Sequence, residues 1–181
     1  MNSIEPIAAL AQFLEAQGWA VLRSDDHSIH GVTGGDNGGW AWLAACVKDG
    51  EILIFRATLA MRVPRNRRAA TAEFLSRANW GMIFGNFQID WSDGQVIFHT
   101  SAPVAGDALS EDTFKHLVWA NCSMMNRYLP GLAAVAFGRS SPKRAIAQVE
   151  KPPKKKPNAA NDGDRRLTDA PRHRRFLPGD N

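Results

Sequence analysis

Two Asp-Gly pairs, Asp49-Gly50 and Asp93-Gly94, each stand between runs of alternating apolar residues. Asp-Gly supplies the positive φ of a tight hairpin turn, so each pair predicts two antiparallel strands. Around Asp49-Gly50 the pairing brings Val47 to Ile52, Cys46 to Leu53, Ala44 to Phe55, Trp42 to Ala57 and Trp40 to Leu59. Around Asp93-Gly94 it brings Trp91 to Val96, Ile89 to Phe98 and Phe87 to Thr100. Side chains alternate along a strand, so the second hairpin has one apolar face and one carrying Gln88, Asp90, Ile97 and His99. The first hairpin is apolar on both. One face holds Trp40, Trp42, Ala44, Cys46, Leu53, Phe55, Ala57, Leu59 and Met61, and belongs under helices. The other holds Leu43, Ala45, Val47, Ile52 and Ile54, with Arg56 and Thr58. So much apolar surface is either a site for a partner or a second copy, or lies beneath a loop or the first helix.

Three helices flank these hairpins. Ser3, Glu5 and Pro6 open the first, Ile7, Leu10, Ala11 and Leu14 give it an apolar stripe, and Gly18 ends it. Extended pieces follow at 19–23 and 28–32. Val63-Pro64 stops the first hairpin, and a second helix spans 66–79 with Ala70, Phe74, Leu75 and Ala78 on one side. Ser110-Glu111-Asp112 caps a third helix, which Pro130-Gly131 is expected to end. Leu132–Phe137 then reads as a short last strand. The order is α-β-β-β-α-β-β-α-(β). Clustered hairpins in place of β-α-β alternation place the fold in the α+β class, an antiparallel sheet packed by helices.

Charge divides the chain after Gly138. Residues 1–138 hold 10 Lys and Arg against 13 acids, whereas residues 139–181 hold 12 against 5, together with six of the ten prolines. The second segment has too few bulky apolar residues to offset the entropy of ordering it. The expected organisation is therefore one folded domain over 1–138 and a disordered basic tail over 139–181. No apolar run is long enough to span a bilayer. Met1–Pro6 lacks the basic start of a signal peptide, and two cysteines cannot form a disulfide framework, so a cytoplasmic address is expected.

Catalytic chemistry is not legible. No nucleophile elbow, zinc-protease helix or dinucleotide fingerprint is present. Gly34–Gly39 lacks the Lys-Ser/Thr pair of a phosphate cradle and precedes a strand, so it reads as a turn. Asp25, Asp26, His27 and His30 form the densest ligand-like group, but no signature elsewhere closes a metal site, and a polar loop is the better reading. Cys122 sits on an apolar helix face as a core residue. No catalytic residue, metal or cofactor is expected. Arg65, Arg67 and Arg68 cluster near a helix start, either for an anion or as a solvated group.

The order and spacing of several marks resemble the YbjN family of bacterial proteins described as sensory transduction regulators. The marks are Met61-x-Val63-Pro64, Arg67-Arg68, Leu75-x-x-x-Asn79, Gly85-x-Phe87-x-Ile89, the Asp93-Gly94 hairpin, Leu109-Ser110-Glu111 and Tyr128-x-Pro130. Where that family often carries an arginine after the second hairpin's aromatic, this chain has His99. The resemblance covers about residues 19–138 and implies a fold like that of type III secretion chaperones and a homodimer, with no catalytic residues. The expected function is a non-enzymatic regulatory module that binds a protein partner or client through Leu43, Ala45, Ile52, Ile54 and Trp119. The alternative is contact with nucleic acid or another anionic surface through the tail, at Lys154, Lys155, Lys156, Arg174 and Arg175. A solubilising or spacer role for the tail stands beside it.

Overall fold

The structure, a computed structural model, describes residues 6–48, 50–104 and 110–151. Helix α1 (Pro6–Ala16) buries Ile7, Leu10, Ala11, Phe13 and Leu14. Gly18, at φ +80°, turns the chain out of it, with Trp19 N donating to Leu14 O at 3.0 Å. Strands β1 (Leu22–Asp25), β2 (Ser28–Gly35), β3 (Gly38–Val47) and β4 (Ile52–Arg62) follow. After a short 3-10 turn at Arg65–Arg67 come α2 (Arg68–Asn79), β5 (Asn86–Ile89), β6 (Gln95–Pro103), α3 (Glu111–Ala136) and α4 (Pro142–Val149). The six strands form one antiparallel sheet in the order β1-β2-β3-β4-β6-β5. The α+β class is as expected, with four strands before α2 where three were expected.

The β3–β4 register is the one Asp49-Gly50 predicts, from Val47 opposite Ile52 to Trp42 opposite Ala57. The β5–β6 register differs by two residues: Phe87 pairs with Phe98 and Ile89 with Val96. The reason is a larger turn. Asp90 N donates to Gln95 O at 2.8 Å and Gly94 N to Asp90 O at 2.8 Å, while the Asp90 carboxylate accepts from Ser92 N and Oγ. Residues 91–94 become the loop, and Trp91 is 60% exposed. A slip of two leaves every side chain on its own face, so the apolar face is the expected one.

That inner face meets the helices in two clusters. Trp42, Ala44, Leu53 and Phe55 pack with α1 and with Phe114, Leu117 and Val118 at the start of α3. Trp40, Ala57, Leu59, Val96 and Phe98 pack with α2, α4 and the later turns of α3. Each fully buried large side chain contributes about 1.5–3 kcal/mol. Asn121, fully buried on α3, donates to Phe55 O, Phe98 O and Thr100 Oγ1. Thr100 Oγ1 reaches Leu117 O at 2.8 Å. These bonds fix the helix to β4 and β6.

Two expectations about the C-terminal part are corrected. Leu132–Phe137 is not a strand, because α3 runs through Pro130 to Ala136. A proline leaves the carbonyl four residues earlier without its helical donor. Here that carbonyl, Asn126 O, accepts from Asn37 Nδ2 at 2.9 Å, and the Asn126 side chain accepts from Asn37 N at 3.0 Å. The β2–β3 turn thus supplies the bond that Pro130 removes. The glycines around it let the helix come that close, since a Cβ on Gly35 would lie 2.5 Å from Asn126 Oδ1. Nor does the fold stop at 138. Ser141 caps α4, which buries Ala145 and sets Val149 over Gly131, where a Cβ would meet Val149 at 2.7 Å and Phe74 at 2.9 Å. Tyr128 donates to Glu150 Oε1 at 2.9 Å. The described fold therefore includes the first part of the segment read as a tail, whose remainder, residues 152–181, lies outside the described residues.

Candidate functional site

All four helices lie on the inner side of the sheet, α4 against α2 and α3. Among the described residues none covers the outer face. In the middle of that face Leu43 lies opposite His30 and Arg56, Ala45 opposite Ser28 and Ile54, and Val47 opposite Ile52. Ile54 continues to Ser101 and Thr58 to Ile97. Leu43, Ala45, Val47, Ile52 and Ile97 are half-buried, which is what side chains on an open, apolar sheet surface show. Ile54 is shielded by its neighbours to 8% exposure. The covered alternative, beneath a loop or the first helix, does not hold for the described residues, because α1 packs on the inner side.

One row crossing this face carries four polar residues, His30, Arg56, His99 and Asn86. It runs Leu22, His30, Leu43, Arg56, His99, Asn86, each opposite the next on the neighbouring strand. At its centre Arg56 Nε and His99 Nδ1 are buried, and neither has a hydrogen-bond partner. Burial, and then the Arg56 charge, holds His99 below the usual histidine range, so it stands beside the guanidinium as a neutral imidazole. The ion pairs among the described residues lie elsewhere: Arg62 with Asp93, Arg77 with Glu73, and Lys115 with Glu111 and Asp112. Sequence reasoning missed the Arg56–His99 pair. Its local half, Arg56 opposite Leu43, followed from the Asp49-Gly50 register, but the pairing of β4 with β6 joins segments separated by α2.

Of the expected surface residues, the structure brings together Leu43, Ala45, Ile52 and Ile54 and leaves out Trp119. Trp119 is on α3, on the helical side, with its ring 6.2 Å from that of Phe13. The structure sets Arg67 and Arg68 against main-chain carbonyls. Arg67 donates through Nε and Nη2 to Val135 O, a cation at the C-terminal end of α3, where the helix dipole favours it. Arg68 donates to Val63 O, Trp91 O and Ser92 O, holding the β5–β6 turn. Both guanidinium groups are thus engaged by carbonyls, and of the three only Arg65 is exposed without a described partner. Lys154, Lys155, Lys156, Arg174 and Arg175 lie outside the described residues.

The remaining candidates have structural roles. Asp25 Oδ1 accepts from His27 N at 2.8 Å and Ser28 Oγ at 2.9 Å, closing the β1–β2 turn. Burial pushes the Cys122 thiol up to about 12, which removes it as a nucleophile near neutral pH. A second apolar feature escaped the sequence reading. After α2, Trp80, Ile83 and Phe84 are 93%, 89% and 62% exposed, and the Phe84 ring stands 6.3 Å from His116. Among the described residues no helix is long and apolar enough to cross a membrane.

Comparison with known proteins agrees with this architecture. The sequence model of the YbjN family, described as "Putative bacterial sensory transduction regulator", matches residues 6–134. A solved structure described as "YbjN, a putative transcription regulator from E. coli" superposes with a TM-score of 0.54 at 16% identity, covering 71% of this chain and 90% of that one. No curated protein matches the chain. With its helix-backed antiparallel sheet and a family match spanning most of its length, the chain belongs to the YbjN family, whose description is that of a regulator.

Proposed function

We propose that this chain is a non-enzymatic regulatory module that binds a protein partner on the outer face of its sheet. The observation that carries the reading is an apolar surface of Leu43, Ala45, Val47, Ile52 and Ile54, with Ile97 beyond Arg56 and His99, over which no described helix packs. Burial of three or four such side chains, at about 1.5–3 kcal/mol each, suffices for a specific complex. The family's description as a regulator accords with action through a partner.

The informative substitutions are those a free monomer tolerates. Ile54→Asp is a poor choice, since it would bury a charge at a position only 8% exposed. Ile52→Lys and Ala45→Arg place a long cation at half-buried sites from which it can reach water. Both variants should melt within a few degrees of the wild type and lose the protein that the wild type captures from an extract of its native host. Folded variants with an unchanged capture profile would remove the outer face from consideration.

A further inference from the structure

The Arg56–His99 pair says what chemistry the partner brings to that face. The reasoning rests on the outer face being the binding surface, as proposed above. An arginine is always charged and carries a planar fork of donors that matches a carboxylate. Arg56 is half-buried in an apolar surface, between Leu43 and His99 across the strands, with its Nε fully buried and unpaired. That Nε lies beneath the surface, and no hydrogen bond of the guanidinium is described, so an incoming carboxylate would meet the outer nitrogens of the fork. No described carboxylate pairs with Arg56. His99 lies beside it, opposite Arg56 on β6, with its Nδ1 likewise beneath the surface.

We propose that the outer face takes a polypeptide partner that sets an aspartate or glutamate side chain, flanked by aliphatic residues, against Arg56 and His99. A second copy of this chain fits less well, because a twofold face-to-face contact centred on this row sets guanidinium against guanidinium. The chain's own residues 152–181 are also the wrong sign, with eight Lys and Arg against four acids.

The test is selection of a fully randomised, phage-displayed peptide library on the full-length protein, with recovered peptides measured by fluorescence anisotropy. The expected result is a shared acidic residue among aliphatic ones. Changing that acid to its amide should weaken binding at least about tenfold, and Arg56→Gln should abolish the difference between acid and amide peptides. The acid-to-amide comparison uses wild-type protein, so it stands even if Arg56→Gln folds poorly. Peptides that are lost on Ile52→Lys yet indifferent to both the acid and Arg56 would overturn the carboxylate inference and leave the binding face intact. Peptides indifferent to Ile52→Lys as well, or no binders at all, would overturn both. Sedimentation showing a self-assembly that Ile52→Lys dissolves would assign the face to a second copy and overturn the proposal.

Discussion

Asn121→Asp tests how α3 is held to the sheet. The Asn121 Nδ2 lies 3.0 Å from Phe55 O, 3.1 Å from Phe98 O and 3.2 Å from Thr100 Oγ1, with the residue fully buried. The substitution puts a carboxylate oxygen where a donor faces three oxygens. An unpaired charge there is so costly that the carboxyl is expected to take up a proton instead. Keeping a group of ordinary pKa about 3.9 protonated at about pH 7 costs about 4 kcal/mol, at about 1.36 kcal/mol per unit. One hydroxyl donor in place of two N–H donors loses roughly another 1 kcal/mol. The expected destabilisation is about 5 kcal/mol near neutral pH, comparable with the whole stability of a small domain. Because the folded-state pKa of the new carboxyl lies above its unfolded value, stability relative to wild type returns as pH falls. The recovery is up to about 1.4 kcal/mol per unit until the unfolded value is approached. Urea unfolding of both proteins between about pH 5 and about pH 7 reads magnitude and slope together. Asn121→Leu is the control. It loses both donors but also removes Oδ1, which is buried without a partner, so its cost is about 1–3 kcal/mol and independent of pH. An Asn121→Asp protein as stable as wild type at neutral pH, or one whose deficit does not change with pH, refutes the reasoning.

Two further predictions follow from the C-terminal part. Tyr128 is the chain's single tyrosine, and burial with the Glu150 hydrogen bond pushes it up to about 12. Near-ultraviolet titration should show one tyrosinate transition well above the usual value, lowered by Glu150→Gln. The stability this group supplies is complete below its unfolded pKa, about 10, and is lost as pH rises through about 12, so a wild-type transition at the ordinary value would show that α4 is not docked. A double-mutant cycle tests the Pro130 repair. Asn37→Ala should cost about 0.5–1.5 kcal/mol in the wild type and measurably less in the Pro130→Ala background, where residue 130 can donate to Asn126 O. Equal costs in both backgrounds would separate the turn from the helix break.

What could be read from the sequence was mostly local. Asp49-Gly50 gave the β3–β4 pairing to the residue, because a two-residue turn leaves no freedom of register. Asp93-Gly94 failed by two positions, because the Asp90 carboxylate closes a wider loop than the dipeptide alone suggests. The carbonyl that Pro130 leaves without its helical donor is met by Asn37, 89 residues from Asn126 in sequence, so no local pattern could have announced that the helix continues. Helix α4 was hidden by composition. Lys143, Arg144 and Pro142 match a polar tail, while Ala145, Ile146 and Val149 are too few to stand out. The outer-face residues of the first hairpin were legible by alternation. That Trp119 lies apart from them, on the helical side, was not legible, because helical periodicity does not say which side of the sheet a helix occupies.

The sheet's two margins also have a consequence. Strands β1 and β5 are four residues each, and β1 is irregular between Arg23 and Asp25. Such short borders offer little main-chain hydrogen bonding to an incoming strand. If the outer face is the binding surface, a partner there would be held by its side chains more than by extending either of these two short strands. Such a platform would select its partner by side-chain spacing, whether the partner offers a helix, a loop or an extended segment.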